Sequence, residues 1–293
     1  MAFGVTAPGP DNNGRWKPRE QHLSAITQMC QSELVDIMLM SASTAEILTE
    51  QDVFADSPVT PAVRLNDTTD IWNARGSRYR QYPSEPFATT DIDAASPLCN
   101  LGLYSMTFFN DVQTDKASLE AYREFRLACR QSGMAHFLEV FNPAYDIGIS
   151  EQELGYYIND MIIKAIAGVT IADAPQFLKI QFNGADAMQE LAAYDPTRLV
   201  AGILGGAAGT TRDTFELLYQ AEQAGARVAL FGRKINLAES PVQLVRLMRK
   251  VLEENLSPAE AVNEYHACLK ESGVTALRTL KQDLEITDPV LMG

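Results

Sequence analysis

Lys179 carries the strongest chemical signal in the chain. It interrupts an otherwise apolar, strand-like run, Phe177-Leu178-Lys179-Ile180-Gln181-Phe182, and lysine is almost never fully buried without a reason. Burial penalises the ammonium form and leaves a neutral amine that can attack a carbonyl and form a Schiff base. Side chains alternate along a strand, so Lys179 and Gln181 share a face with Phe177, while Leu178, Ile180 and Phe182 share the other. The more apolar set suits a helix layer. Lys179 and Gln181 are therefore expected to point inward, with Gln181 placed to contact substrate. The duller alternative is a lysine paired to a neighbouring carboxylate or snorkelling to the rim.

Two glycine turns follow Lys179 in sequence. Gly205-Gly206 closes the strand-like residues 199–204, and Gly232-Arg233 closes residues 227–231. Glycine lets a backbone approach a ligand closely, and its amides can face a phosphate. Thr210-Thr211 can cap the next helix and add its free amides and dipole. Arg233 adds a guanidinium. The competing reading is that these are ordinary strand-to-helix turns.

Three further charged residues fall at strand positions or strand ends. Glu139 alternates with Phe137 and Phe141, so it can face inward and pair with Lys179, which favours the ammonium at rest and permits proton shuttling later. Asp111 follows Phe108-Phe109-Asn110 and is a second acid/base candidate. Arg64 can bind an anion or balance buried acids.

These residues are useful only if an architecture brings them together. Strand-like segments at 3–7, 34–40, 61–65, 99–109, 136–141, 176–182, 199–204 and 227–231 alternate with helical ones, which predicts parallel strands with crossover helices. Eight such units in 293 residues predict a single α/β domain, a (β/α)8 TIM barrel, normally roughly 250 residues long. Residues 66–97 lack apolar periodicity and read as an irregular insertion after the third strand. Helical residues 258–284 form a C-terminal extension. Helix starts are expected at Pro18, at Ser43-Thr44, and at Ser150 through a capping box to Glu153, and Gly133 is expected to stop a helix over 118–132.

Composition narrows the partners. The formal charge is −14, from 24 basic and 38 acidic side chains, which argues against a nucleic-acid surface but not against a local anion site. Four cysteines and three histidines are scattered without metal-ligand spacing, so no metal or cofactor is predicted and reduced thiols in a cytoplasm are expected. No basic, apolar leader and no run of 18 apolar residues is visible, so no membrane partner is predicted.

The stretch from Gln176 to about Cys268 resembles the class I (Schiff-base) fructose-bisphosphate aldolase and deoxyribose-phosphate aldolase superfamily. The likeness lies in Phe177-Leu178-Lys179-Ile180-Gln181-Phe182-Asn183-Gly184, in Leu204-Gly205-Gly206, and in Gly225 to Ile235 with its Phe231-Gly232-Arg233 core. It extends to Ser240-Pro241, to Ser257-Pro258-Ala259-Glu260-Ala261 and, loosely, to Phe137-Leu138-Glu139-Val140. The resemblance implies that Lys179 on the sixth strand forms the Schiff base and that Gly205, Gly206, Gly232 and Arg233 hold a substrate phosphate. It also implies an acid near the end of the first strand, where Asp11 is the nearest candidate and equally a turn residue, and an acid/base tyrosine after the fifth strand, where Tyr145 is nearest. A carbon–carbon lyase acting on a phosphorylated sugar or keto compound, as a homo-oligomer, is the resulting expectation.

Alternatives remain open at this point. They are a lysine-dependent, thiolase-type acyltransferase on the same fold, a barrel without catalysis, and a nicotinamide-dependent oxidoreductase. The last is opposed by glycines at 205, 206 and 209, which do not follow G-x-G-x-x-G.

Overall fold

Side-chain alternation divides the apolar residues of the strands into two sets, and the sheet curls to bury both. In the computed structural model the described residues are 18–66, 78, 80–205 and 209–292. The chain runs α1 (Arg19–Gln31), β1 (Ile37–Met40), α2 (Ala42–Glu50), β2 (Thr60–Arg64), the short α3 (Ile92–Ala95), β3 (Leu101–Thr107), α4 (Val112–Ser132) and β4 (Ala135–Phe141). It continues through α5 (Glu151–Ala167), β5 (Leu178–Ile180), α6 (Ala185–Tyr194), β6 (Gly202–Leu204), α7 (Thr211–Gln223), β7 (Val228–Leu230) and α8 (Arg233–Asn236). Then α9 (Pro241–Glu253), α10 (Pro258–Glu271) and α11 (Leu280–Asp283) close it.

The seven described strands are all parallel and lie in sequential order. Sequential order is that of a barrel, and a doubly wound dinucleotide fold reverses direction part-way along its sheet. Leu39 of β1 and Leu230 of β7, at opposite ends of that order, join one buried cluster with Ala62, Leu103, Phe137 and Phe177. The sheet is therefore rolled into a TIM-barrel-like α/β fold with this cluster inside. Met38, Val63, Tyr104, Leu138, Ile180 and Ile203 point the other way, into the core shared with the helices. The predicted strand at 3–7 lies outside the described residues, as do residues 67–77 of the expected insertion.

Several helix ends differ from expectation for identifiable reasons. Pro18 is the N-cap of α1, not part of its first turn. The second helix starts earlier than predicted, with Ser41 as its cap. Helix α4 begins at Val112, six residues before the predicted start, because Asp111 caps it. Its stop was correct: Gly133 takes φ 74°, a conformation that costs glycine little. Ser150 accepts from the Glu153 amide as the capping pattern predicts.

The C-terminal extension is fastened to α7. Asp213 accepts from the Thr287 amide at 2.7 Å and hydroxyl at 2.5 Å. Thr210 Oγ1 donates to the Glu285 carbonyl at 2.7 Å, and the Thr211 amide donates to Asp283 Oδ1 at 2.8 Å. His266 Nε2 lies 3.0 Å from the other Asp283 oxygen. No helix among the described residues is long and apolar enough to cross a membrane. The four cysteines are unpaired, and burial pushes the Cys129 thiol up to about 12.

His136, on the outward face of β4, meets the Tyr122 hydroxyl at 2.9 Å. Burial, helped by Arg126 and opposed by Asp173, pushes its pKa down to about 4. An unfolded chain takes up this proton near 6.5, so stability contributed by His136 is present above that pH and lost as pH falls towards 4. The loss should total about 3 kcal/mol. Urea unfolding at pH 7 and pH 4 should show this much more acid sensitivity in the wild type than in His136→Gln. Equal sensitivity would disprove the account.

Candidate active site

Strand register builds the centre of the site. Ser105 of β3, Glu139 of β4 and Lys179 of β5 are direct cross-strand partners, so their side chains lie side by side on the inner face. Lys179 Nζ is 2.5 Å from Glu139 Oε1. Glu139 Oε2 accepts from Ser105 Oγ at 2.7 Å and from Arg64 Nη2 at 3.4 Å. Arg64 Nη1 donates to Ser105 Oγ at 3.0 Å. Lys179 is 8% exposed and Glu139 1%. Burial alone would raise the Glu139 pKa, but Lys179, Arg64 and the Ser105 hydroxyl together hold it below the usual carboxylate range.

This arrangement combines the two readings of Lys179. The lysine faces inward, and it pairs with a carboxylate that keeps the ammonium favoured at rest. The same carboxylate is the nearest base for that proton. Arg64 balances the buried acid, which was one of its two expected roles.

Asn66 and Ser105 were not read from sequence as site residues. Asn66 is 4% exposed; its amide oxygen accepts from the Ser105 amide at 2.5 Å and its Nδ2 donates to the Ser105 carbonyl at 2.8 Å. It fixes the serine that in turn orients Glu139. Asn142 and Asn183, just beyond β4 and β5, exchange reciprocal side-chain hydrogen bonds of 2.7 and 3.3 Å. A polar residue within three positions of a barrel strand's end was the available signal for the three asparagines, and none marked Ser105 inside β3.

The remaining candidates separate into supported positions and corrections. Asp111 is fully exposed and accepts from the Thr114 amide at 2.8 Å, and that hydrogen bond lowers its pKa. It is a helix cap, and the acid/base role expected of it is corrected accordingly. Tyr145 is half-buried and stacks on Phe109 with ring centroids 5.6 Å apart; burial, then Asp111 and Asp115, raises its pKa. Gln181 is exposed just past β5, on the Lys179 side of the alternation. Asp11 and Gly206 lie outside the described residues.

The two turns are not equivalent. The Gly205 amide donates to the Leu230 carbonyl at 2.9 Å, so the phosphate role expected of that amide is corrected to a sheet contact. Glycine is required there because an added Cβ would lie 2.5 Å from Phe231 Cδ1. The start of α7 is also engaged: Asp283 takes the Thr211 amide, and Thr210 and Asp213 form a reciprocal capping box. Three of the amides that could have faced an anion there, those of Thr210, Thr211 and Asp213, are thus already taken. Gly232 and Arg233 differ, because their amides find no acceptor among the described residues. Arg233 is exposed, with no ion pair or hydrogen bond among those residues.

Lys234 was not anticipated. Its Nζ donates to the Gly209 and Thr210 carbonyls at 2.7 and 2.9 Å, bracing the far end of the first glycine turn. Burial pushes its pKa down to about 8, with Asp283, Asp213 and Glu239 opposing and Arg278 assisting. Among the described residues no cluster of His, Cys, Asp and Glu could hold a metal ion.

Comparison with known proteins agrees with the aldolase-superfamily resemblance. No protein-family model matches the chain. An uncharacterised aldolase of Saccharolobus solfataricus is 22% identical over 231 residues, covering 78% of this chain and 80% of that one. Among solved structures, a Schiff-base-forming fructose-1,6-bisphosphate aldolase superposes with TM-score 0.61 at 13% identity, over 85% of this chain and 92% of the other. The fructose-bisphosphate aldolase of Slackia heliotrinireducens gives TM-score 0.62 at 16% identity, over 96% and 88%. At these identities the solved structures speak to the fold, which is an aldolase-type barrel.

Proposed function

We propose that this chain is a Schiff-base aldolase acting on a small phosphorylated carbonyl compound. The observation that carries the reading is the Lys179 amine on the inner face, 2.5 Å from the buried carboxylate of Glu139. In this mechanism Glu139 takes a proton from Lys179, and the freed amine adds to the substrate carbonyl. Loss of water gives an iminium, which draws electrons from the adjacent carbon–carbon bond once a base removes the proton of the β-hydroxyl. The bond breaks to release an aldehyde and leave an enamine, which is protonated and hydrolysed to restore the lysine. Ser105 and Arg64 hold Glu139 in place while its charge changes. Tyr145 and Asp11 are the candidates for the hydroxyl proton.

The substrate phosphate is assigned to the amides of Gly232 and Arg233, the Arg233 guanidinium and Gly206. Arg233→Ala should therefore weaken phosphorylated ligands by about 1.5–3 kcal/mol, roughly 10- to 150-fold, and leave unphosphorylated analogues unaffected. Calorimetric titration with inorganic phosphate checks this, and equal affinity in the variant would refute the assignment. The covalent step is tested by borohydride reduction with dihydroxyacetone phosphate or fructose 1,6-bisphosphate, followed by peptide mass mapping. The expected result is one adduct, on Lys179. Adducts scattered over surface lysines would refute the mechanism.

A further inference from the structure

A second cavity, of about 330 Å³, lies behind the two glycine turns, walled by Gly209 and Thr211, by α8 and the segment after it, and by Tyr265, Leu277 and Arg278 of the C-terminal extension. Its size is near the lower end of small-molecule pockets, which begin at about 300 Å³. Three cations meet there, in a chain whose net charge is −14. Arg233 and Lys234 line it from α8 and Arg278 lines it from the extension. Arg130, Arg212, Arg227, Arg249 and Lys250 are each matched to a carboxylate, whereas Arg123, Arg198 and Arg246 are not, among the described residues. Arg233 and Arg278 have neither an ion pair nor a hydrogen bond among the described residues.

Glu239, the carboxylate in this wall, acts on Lys234 but makes no ion pair with Arg233 or Arg278. Its Oε1 accepts from the Leu277 amide at 2.8 Å and its Oε2 from the Tyr265 hydroxyl at 3.2 Å, so it fastens the wall. The opposite lining is apolar: Leu237, Ala238, Leu244 and Leu277, with Leu237 and Leu277 substantially exposed. Unpaired guanidinium groups beside exposed leucines match a ligand with an anionic head and a short apolar body.

The geometry points to this cavity as a binding site for a small amphiphilic organic anion, a carboxylate or a phosphate monoester, held chiefly by Arg278 with Lys234 against the leucines and adjoining the proposed phosphate turn at Arg233. Such a ligand would bear on the first glycine turn through Lys234, which braces the Gly209 and Thr210 carbonyls.

The probe chosen is 4-phenylbutyrate, which carries no phosphate, and the Arg278 variants read this cavity apart from the proposed phosphate turn, with which it shares Arg233. Calorimetry should show saturable one-site binding to the wild type. Affinity should fall about tenfold or more in Arg278→Gln, recover partly in Arg278→Lys, and be about tenfold or more weaker for 4-phenylbutanol, which lacks the anion. Binding to Lys179→Met should match the wild type. Undiminished binding to Arg278→Gln, loss of binding in Lys179→Met, or no saturable binding up to about 10 mM would each overturn the proposal.

Discussion

Lys179→Met is expected to fold like the wild type while losing about 10⁴-fold or more in carbon–carbon bond cleavage, because it removes the covalent route that would carry much of the acceleration. Methionine nearly conserves side-chain volume. Removal of the ammonium does not strand its partner, since Glu139 keeps Ser105 Oγ at 2.7 Å and Arg64 Nη2 at 3.4 Å. The stability cost should therefore fall below the ~3–5 kcal/mol typical of breaking a buried pair. Steady-state rates with a cleavable substrate and urea unfolding of the same preparation check both halves. A variant that cleaves at near-wild-type rate would end the mechanism, and one that fails to fold would recast Lys179 as a structural cation.

Glu139→Ala should have the opposite profile, with the larger loss in stability. The side chain is 1% exposed and serves two cations at once. Its removal leaves an ammonium and a guanidinium facing each other without the anion between them, and an expected cost of about 3–5 kcal/mol. Unfolding free energy in urea reads this directly, and a change under about 1 kcal/mol would show the cluster to be solvated. The pH dependence has a definite sign. Because the folded-state pKa of Glu139 lies below its ordinary 4.5, its contribution is complete above that pH and lost as pH falls through the lowered value. Glu139→Ala should lack that part of the acid sensitivity.

The features legible in the sequence were those set by neighbours in the chain. The alternation over residues 177–182 placed Lys179 on the inner face and Leu178 and Ile180 on the outer one, as observed. Strand–helix alternation predicted the barrel, and Gly133 and Ser150 marked helix ends because capping involves residues a few positions apart. What escaped depended on contacts between distant residues. Asn66 reaches Ser105 across 39 positions, and nothing local marks that serine as the support of Glu139. Asp283 takes the Thr211 amide from 72 positions away, which is why the start of α7 looked more open in the sequence than it is. Asp111 misled for the converse reason: a carboxylate after a strand has the same local pattern whether it caps a helix or moves a proton.

The fastening of α7 also has a consequence for the order in which the molecule is made. Asp213 and Thr210 leave the ribosome some 74 to 75 residues ahead of Thr287 and Glu285, the groups that satisfy them. Until Glu285 and Thr287 emerge, the turn after β6 lacks its outer support, and Thr210 and Asp213 have only each other. Domains tend to fold as they are synthesised, so the fastening of α7 is completed only well after the last described strand has been made. A chain cut before Glu285 keeps every described strand and leaves the turn after β6 without its outer support.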